Sequence, residues 1–336
     1  MSIKSIVDPN PFRTVGADGK PVMRRFSSAR ALLDVYTDLQ QKDDEDAKRR
    51  ARILKVYNGY LPYDPAKQKA KGLGNLANFN SGELKGTIDA RAAAVQDMAL
   101  DTTPLVELRS LPAELSGPDA AKIADIISDE FSVTLRESRK FIPAISTMIK
   151  EADLQGLGPV TWPTYEDYQP VALERGQVKF AEDASSISSE NDLYMIESVM
   201  PAWYLMSLFD DPEGSAADGW NLDAVKKYMI RVFFEHQDTR TQAADDTGTS
   251  PHESALALWR QNRFLETHQF DSLRVVHAYV REVYGARKVT HYIVTTIENP
   301  NDKDKPEEFL FLKDGAYDNM DQCMLWLPYT VTERYA

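Results

Sequence analysis

Apolar residues in the first half of the chain recur at helical spacing. Leu32, Val35, Tyr36 and Leu39 form one stripe, and Ser27 or Ser28 can cap a helix running to about Gln41. A second helix is predicted from about 43 to 58. Asp43 to Asp46 come first and Lys48, Arg49, Arg50 and Arg52 later, the order that suits a helix macrodipole, and Asn58-Gly59, Pro62 and Pro65 end it. Asn80 and Glu83 have capping-box spacing before a helix to about Leu100, with Leu84, Ile88, Ala92, Val95 and Ala99 on one face. Ile123, Ile127, Phe131 and Leu135 predict a helix starting near Pro118. Ile145, Met148, Ile149 and Ala152 predict another over 142–155, stopped by Gly156 and Gly158.

From Pro159 to Val199 the pattern shortens to strand-like runs: 160–162, 177–180 and 193–199, with a polar loop over 181–192. Asp210, Asp211, Glu213 and Asp218 lie in an exposed stretch. Asn221 can cap a helix that buries Leu222, Val225, Met229 and Val232, with Trp220 placed to staple onto Val225. After a polar linker over 238–248, Ser250-Pro251-His252-Glu253 forms a capping box for a helix to about Thr267. From Asp271 an antiparallel meander is predicted: 273–284, a turn at Gly285-Ala286-Arg287, 288–297, a charged tip over 299–306, then 307–313 and 323–331.

The expected class is therefore α+β. The expected organisation is an irregular N-terminal arm (1–26), a mainly helical region (27–158), a β-rich segment (159–209), a helical region (210–270) and a β meander (271–336). The chain ends at VTERYA as though within a strand, which reads as part of a longer polypeptide.

Composition narrows the possibilities. Across 336 residues, 43% are hydrophobic and 27% charged, which excludes a collagen, a coiled-coil rod or wholesale disorder. No apolar run is long enough to span a bilayer, and the N-terminus lacks the apolar stretch of a signal peptide. A single cysteine, Cys323, leaves the fold to its core and fits assembly in a reducing compartment. The net charge of −13 argues against gripping nucleic acid through Lys and Arg; it reads first as a soluble cytosolic protein kept apart from its neighbours by charge repulsion, and second as a surface that passes near a polyanion without adhering.

No catalytic constellation emerges. The five histidines are His236, His252, His268, His277 and His291; Leu256 stands where HExxH would need its second histidine. With a hairpin turn centred near Ala286, His291 is expected to face about Arg281 rather than His277, so no histidine metal site is expected. Cys323, in an alternating apolar run, reads as an inert buried thiol. GLGNLANFNSG lacks the third glycine of GxGxxG and the GKS ending of a phosphate loop, and reads as a flexible lead into a helix. The basic run at 48–52 reads as a solvated helix face paired with its own acids, and the carboxylate clusters as solvated loops and helix starts. Aromatics cluster in WPTYEDY (162–168) and PAWYLMSLF (201–209) without interleaved base, which points to core or subunit-interface packing rather than base stacking. Trp203, Tyr204, Leu205 and Phe209, with the arm 1–26, are the candidate subunit-interface residues. No catalytic, cofactor or metal residue is assigned.

Two stretches carry a family resemblance. Tyr57-Asn58-Gly59-Tyr60 with GLGNLANFNSGELKGTIDARAAAV, and Val199-Met200-Pro201 through Gly219-Trp220-Asn221 and Val225-Lys226, resemble the wing region of portal proteins of tailed, especially short-tailed, bacteriophages. The resemblance implies a homo-oligomeric, dodecameric ring at one capsid vertex. It implies a conduit for double-stranded DNA in packaging and ejection, with no hydrolytic activity and no cofactor of its own. Its implied partners are the terminase large subunit, the major capsid protein and head–tail adaptors. Its implied setting is the virion, assembled in the host cytoplasm, with no membrane contact. The long stem helices and crown of the family are not identifiable after residue 270. The readings held beside it are a metal-dependent phosphoesterase or nuclease whose carboxylates are scattered in sequence, and another phage connector or tail component.

Overall fold

The computed structural model describes residues 13–15, 21–61, 64–73, 80–101, 104–107, 120–162, 170–180, 190–230, 272–282, 288–296 and 308–328, and all structural statements concern these. The predicted helix after Ser250, the turn at 285–287, the loop at 299–306, WPTYEDY beyond Trp162, the segment 74–79, Val232, His236, His252 and His268 fall outside them.

In chain order the elements are β1 (Arg13–Val15), β2 (Pro21–Met23), α1 (Ala29–Tyr57), α2 (Pro65–Ala70), α3 (Glu83–Asp101), α4 (Ala120–Glu137) and α5 (Phe141–Gln155). Then come β3 (Leu157–Thr161), β4 (Val171–Ala172), β5 (Val178–Phe180) and β6 (Leu193–Pro201). The helices α6 (Ala202–Ser207), α7 (Pro212–Asp218) and α8 (Leu222–Ile230) precede β7 (Ser272–Arg281), β8 (Val289–Thr295), β9 (Phe311–Tyr317) and β10 (Met324–Pro328). All sheets are antiparallel, so the class is α+β. The chain divides into two compact units, each assembled from separated stretches: Met1–Lys42 with Gln177–Met320, and Asp43–Gly176 with Asp321–Ala336.

The first unit is built on a five-stranded sheet in the order β5-β6-β7-β8-β9. Side chains alternate between its faces, and β7 is apolar on both. Leu273 and Val275 face α6 and α8, where Leu205, Leu208, Ala224, Val225, Tyr228 and Met229 close a core with Met200, Ile293, Leu310 and Phe311. Val276, Ala278 and Val280 face the first turns of α1, where Ala29, Leu32, Leu33 and Tyr36 pack with Met195, Tyr292 and Val294. Burial on both faces is why the β7 sequence reads as a nearly unbroken apolar run.

Gly219 ends α7 at φ +116°, a conformation that favours glycine, and a β-carbon there would collide with the Leu312 carbonyl. The close approach lets Leu312 N–H donate to the Gly219 carbonyl at 2.9 Å, while Asn221 N–H donates to Leu310 at 2.9 Å. Asn221 caps α8 as predicted, accepting from Ala224 N–H at 3.1 Å. Trp220, however, stacks edgewise on Phe311, at 5.0 Å between ring centroids, and on Tyr204.

In the second unit α5 lies on β3. Gly156, in left-handed conformation, caps α5 and turns the chain straight into the strand. At Gly158 the strand backbone presses on the Met148 carbonyl, leaving no room for a β-carbon. The sheet order is β10-β3-β4, and the Thr161 hydroxyl donates to the Cys323 carbonyl at 2.8 Å. On α4, Ser132 Oγ accepts from the Leu105 and Val106 N–H groups and donates to the Ser128 carbonyl, tying the chain after α3 to the helix.

Several expectations are corrected. Residues 29–57 form one helix rather than two. No glycine or proline interrupts 41–46, and the acidic cluster sits mid-helix, where Asp43 is answered by Arg50 two turns on at 2.6 Å. The arm 1–26 is not wholly irregular: β1 and β2 pair as a hairpin. Asp210, Asp211, Glu213 and Asp218 are exposed as expected, and within the expected helical region Pro212–Asp218 forms α7, where the Asp211 side chain accepts from Gly214 N–H and Pro212 fits the first turn. Asn80 does not close a capping box. Its carbonyl oxygen accepts from Gly82 N–H, while its amide donates to the Val56 and Tyr60 carbonyls at the end of α1. The C-terminal run does not extend the meander, since β10 pairs with β3.

Candidate functional site

The four predicted interface residues take three different positions around α6. Leu205 is fully buried in the core, so its side chain is committed within the chain. Tyr204 and Phe209 are half-buried against the same cluster, Tyr204 bridging the rings of Trp203 and Trp220. Trp203 points outward and is 58% exposed. On β6, three residues before α6 begins at Ala202, Val199 is 61% exposed.

In the second unit, α3 and α4 show a broader apolar surface. The predicted stripe on α3 buries Ile88 and Ala92 but leaves Leu84 and Val95 open, and Met98 is 73% exposed. On α4, Leu135 is buried, whereas Ile123, Ile126, Ile127 and Val133 are exposed, Ile126 at 62%. Ile123, Ile126 and Ile127 fall at the i, i+3, i+4 spacing of one helix face.

The basic run splits. Lys48, Arg49 and Arg52 are exposed, while Arg50 is buried against Asp43, whose other oxygen lies 3.8 Å from Arg175. Cys323 is buried, and burial with nearby Asp321 pushes its thiol far above its ordinary value, so it is not a thiolate at neutral pH.

The two hairpin histidines meet, contrary to the expected register. His291 pairs with Tyr279 and His277 with Ile293, which makes the histidines diagonal neighbours on one face. Their Nδ1 and Nε2 atoms are 3.1 Å apart, with ring centroids at 5.3 Å and planes at 20°. Such rings lie nearly edge to edge, so the nitrogens aim at each other. At that separation one ring nitrogen can donate its proton to the other. Tyr279 stacks on the far side of His291 at 4.4 Å. Burial pushes His277 down to about 4, and burial, His277 and Lys313 hold His291 well below its usual value, so the pair is neutral at pH 7. Among the described residues no three His, Cys, Asp or Glu converge as a metal site, and no helix is long and apolar enough to cross a membrane.

Two polar assemblies on the opposite face were not anticipated. Glu282 is buried and accepts from the Tyr292 hydroxyl at 2.8 Å and from Arg25 N–H at 2.9 Å, while Arg24 makes a two-pronged pair with Asp314 at 2.6 and 3.0 Å. This fixes 24–26 to the sheet. Burial still raises the Glu282 carboxyl above its ordinary value. Further along, Leu33, Tyr36, Thr37 and Gln40 of α1 with Glu197, Arg274 and Thr296 line a cleft of about 300 Å³. The Tyr36 hydroxyl donates to Glu197 at 3.0 Å; burial and then that carboxylate keep it protonated. The available signal was a lone acid in LYMIESVMP and a lone base in SLRVVHAYV, each an ionised residue inside an apolar strand.

The chain matches no protein-family model and no curated protein.

Proposed function

We propose that this chain is a portal-type ring subunit, a structural protein rather than an enzyme. It assembles as a dodecameric homo-oligomer at a capsid vertex and conducts double-stranded DNA in packaging and ejection. It presents docking surfaces to the terminase large subunit, the major capsid protein and head–tail adaptors. The observation that carries this reading is the row of exposed apolar residues along one face of α4, Ile123, Ile126 and Ile127, with Met98 exposed on α3, since a soluble monomer rarely exposes such a row, and copies of the same chain can cover it. Outward-facing Trp203 supports it, being of the residue type enriched in such contacts. The net charge of −13, multiplied around a ring, suits a conduit that DNA slides through.

The test is the mass and shape of the purified full-length protein, by light scattering and electron microscopy. Closed rings are expected. Monomers at every concentration and ionic strength would overturn the reading.

A further inference from the structure

We propose that the cleft beneath the first half of α1 binds a small zwitterion of the α-amino-acid class, its carboxylate held by Arg274 and its ammonium by Glu197. The cleft's volume of about 300 Å³ lies at the lower end of the range that holds small molecules. The sheet forms its floor, with Glu197 on β6, Arg274 on β7 and Thr296 just past β8; α1 forms its wall.

Register sets the charges side by side. Glu197 pairs with Val276 and Val199 with Arg274, so Glu197 and Arg274 are diagonal neighbours on one face. Opposite charges so placed ordinarily join. Here they do not. Glu197 takes the Tyr36 hydroxyl instead, and the Arg274 guanidinium has no hydrogen bond or ion pair among the described residues.

The pair of unspent charges selects the ligand. A simple anion at Arg274 would meet the Glu197 carboxylate, and a simple cation at Glu197 would meet the guanidinium. An apolar molecule would strip water from both without replacing it. A molecule carrying both charges a few bonds apart answers each with a charge-assisted hydrogen bond. The Gln40 amide and Thr296 hydroxyl remain for polar atoms between them, and Leu33 gives an apolar wall for a short side chain. Tyr36 holds Glu197 in place, so one side of the site is preorganised.

The inference stands independently of ring assembly. It is tested on the full chain by calorimetric titration with each free amino acid, using acetate and ethylamine as single-charge controls. At least one amino acid should bind saturably with Kd of about 1 mM or tighter, and at least tenfold more weakly to both Arg274→Gln and Glu197→Gln. Acetate and ethylamine should not saturate. Arg274 is exposed, and a glutamine amide oxygen at 197 still accepts the Tyr36 hydroxyl, so both variants should keep the wild-type Tm. The proposal is overturned if no amino acid binds, if either variant binds as the wild type does, or if acetate binds as tightly as the amino acid.

Discussion

The two units use similar amphipathic patterns to different ends. In the first, β7 is covered on both faces, and the apolar residues of α6 and α8 close against it. In the second, α3 and α4 carry equally regular stripes, yet Ile88, Ala92 and Leu135 are buried while Leu84, Val95, Ile123 and Ile127 are open. Periodicity reports that a helix has an apolar face. It does not report whether the partner of that face belongs to the same chain.

The comparison is broken most forcefully inside the second unit, where exposed helices do not mean a loose interior. Gly158→Ala drives a β-carbon into the Met148 carbonyl, backbone against backbone, which no rotamer change relieves. A loss of about 3 kcal/mol or more is expected, read as a fall in Tm or loss of soluble protein. A variant as stable as the wild type would show that the β3–α5 seam yields.

Next in size is Leu205→Ala in the first unit. Leu205 is fully buried among α8 and β7 residues, so a loss of about 3 kcal/mol is expected in chemical denaturation. A loss below 1 kcal/mol, on the order of a surface change, would mean that Leu205 is reachable by a neighbouring subunit rather than committed to the core.

The histidine pair gives a smaller, pH-dependent effect confined to the first unit. Both folded-state values lie below the unfolded one, so the contribution is fully present above about pH 6.5 and is lost as pH falls toward 4. The half-buried rings limit it to about 2 kcal/mol. Glu282 has the opposite sign: its value is raised by burial, so its contribution is full below the unfolded glutamate value and declines as pH rises through the folded one. His277→Asn keeps a hydrogen-bonding group near His291 but removes one titration, so stability measured between pH 7 and 4 should flatten. An unchanged slope would place the acid sensitivity elsewhere.

How much of this was legible follows from the range of each cause. Helix starts and stops are local, and the end of α5 and the start of α8 stand near their predicted positions because Gly156 and Asn221 act within a turn. The continuity of α1 was missed because charge order imitates a helix start when no breaker is present. The pairing of β10 with β3, about 160 residues away in sequence on the scale of the whole chain, has no local signature. The histidine contact failed by a two-residue shift of register, which preserves the face and so leaves no trace in alternation. The cleft was invisible for the same reason: Glu197 and Arg274 meet only through strand register, although each was conspicuous as an ion in an apolar strand.

The smallest expected effect on stability is the sharpest test of the contrast between units. Ile126→Ser removes an apolar side chain that the described structure leaves 62% exposed. The isolated protomer should change by less than about 0.5 kcal/mol, as surface positions do. If α4 packs against another copy, the same change places a hydroxyl in an apolar contact repeated at every interface of the ring, so the assembled fraction should fall sharply at fixed concentration. Denaturation at low concentration and light scattering at high concentration separate the two. A protomer destabilised as strongly as Leu205→Ala would show that this face is covered within the chain. Unchanged stability together with unchanged mass would remove α4 from any subunit contact and with it the main structural support for a ring.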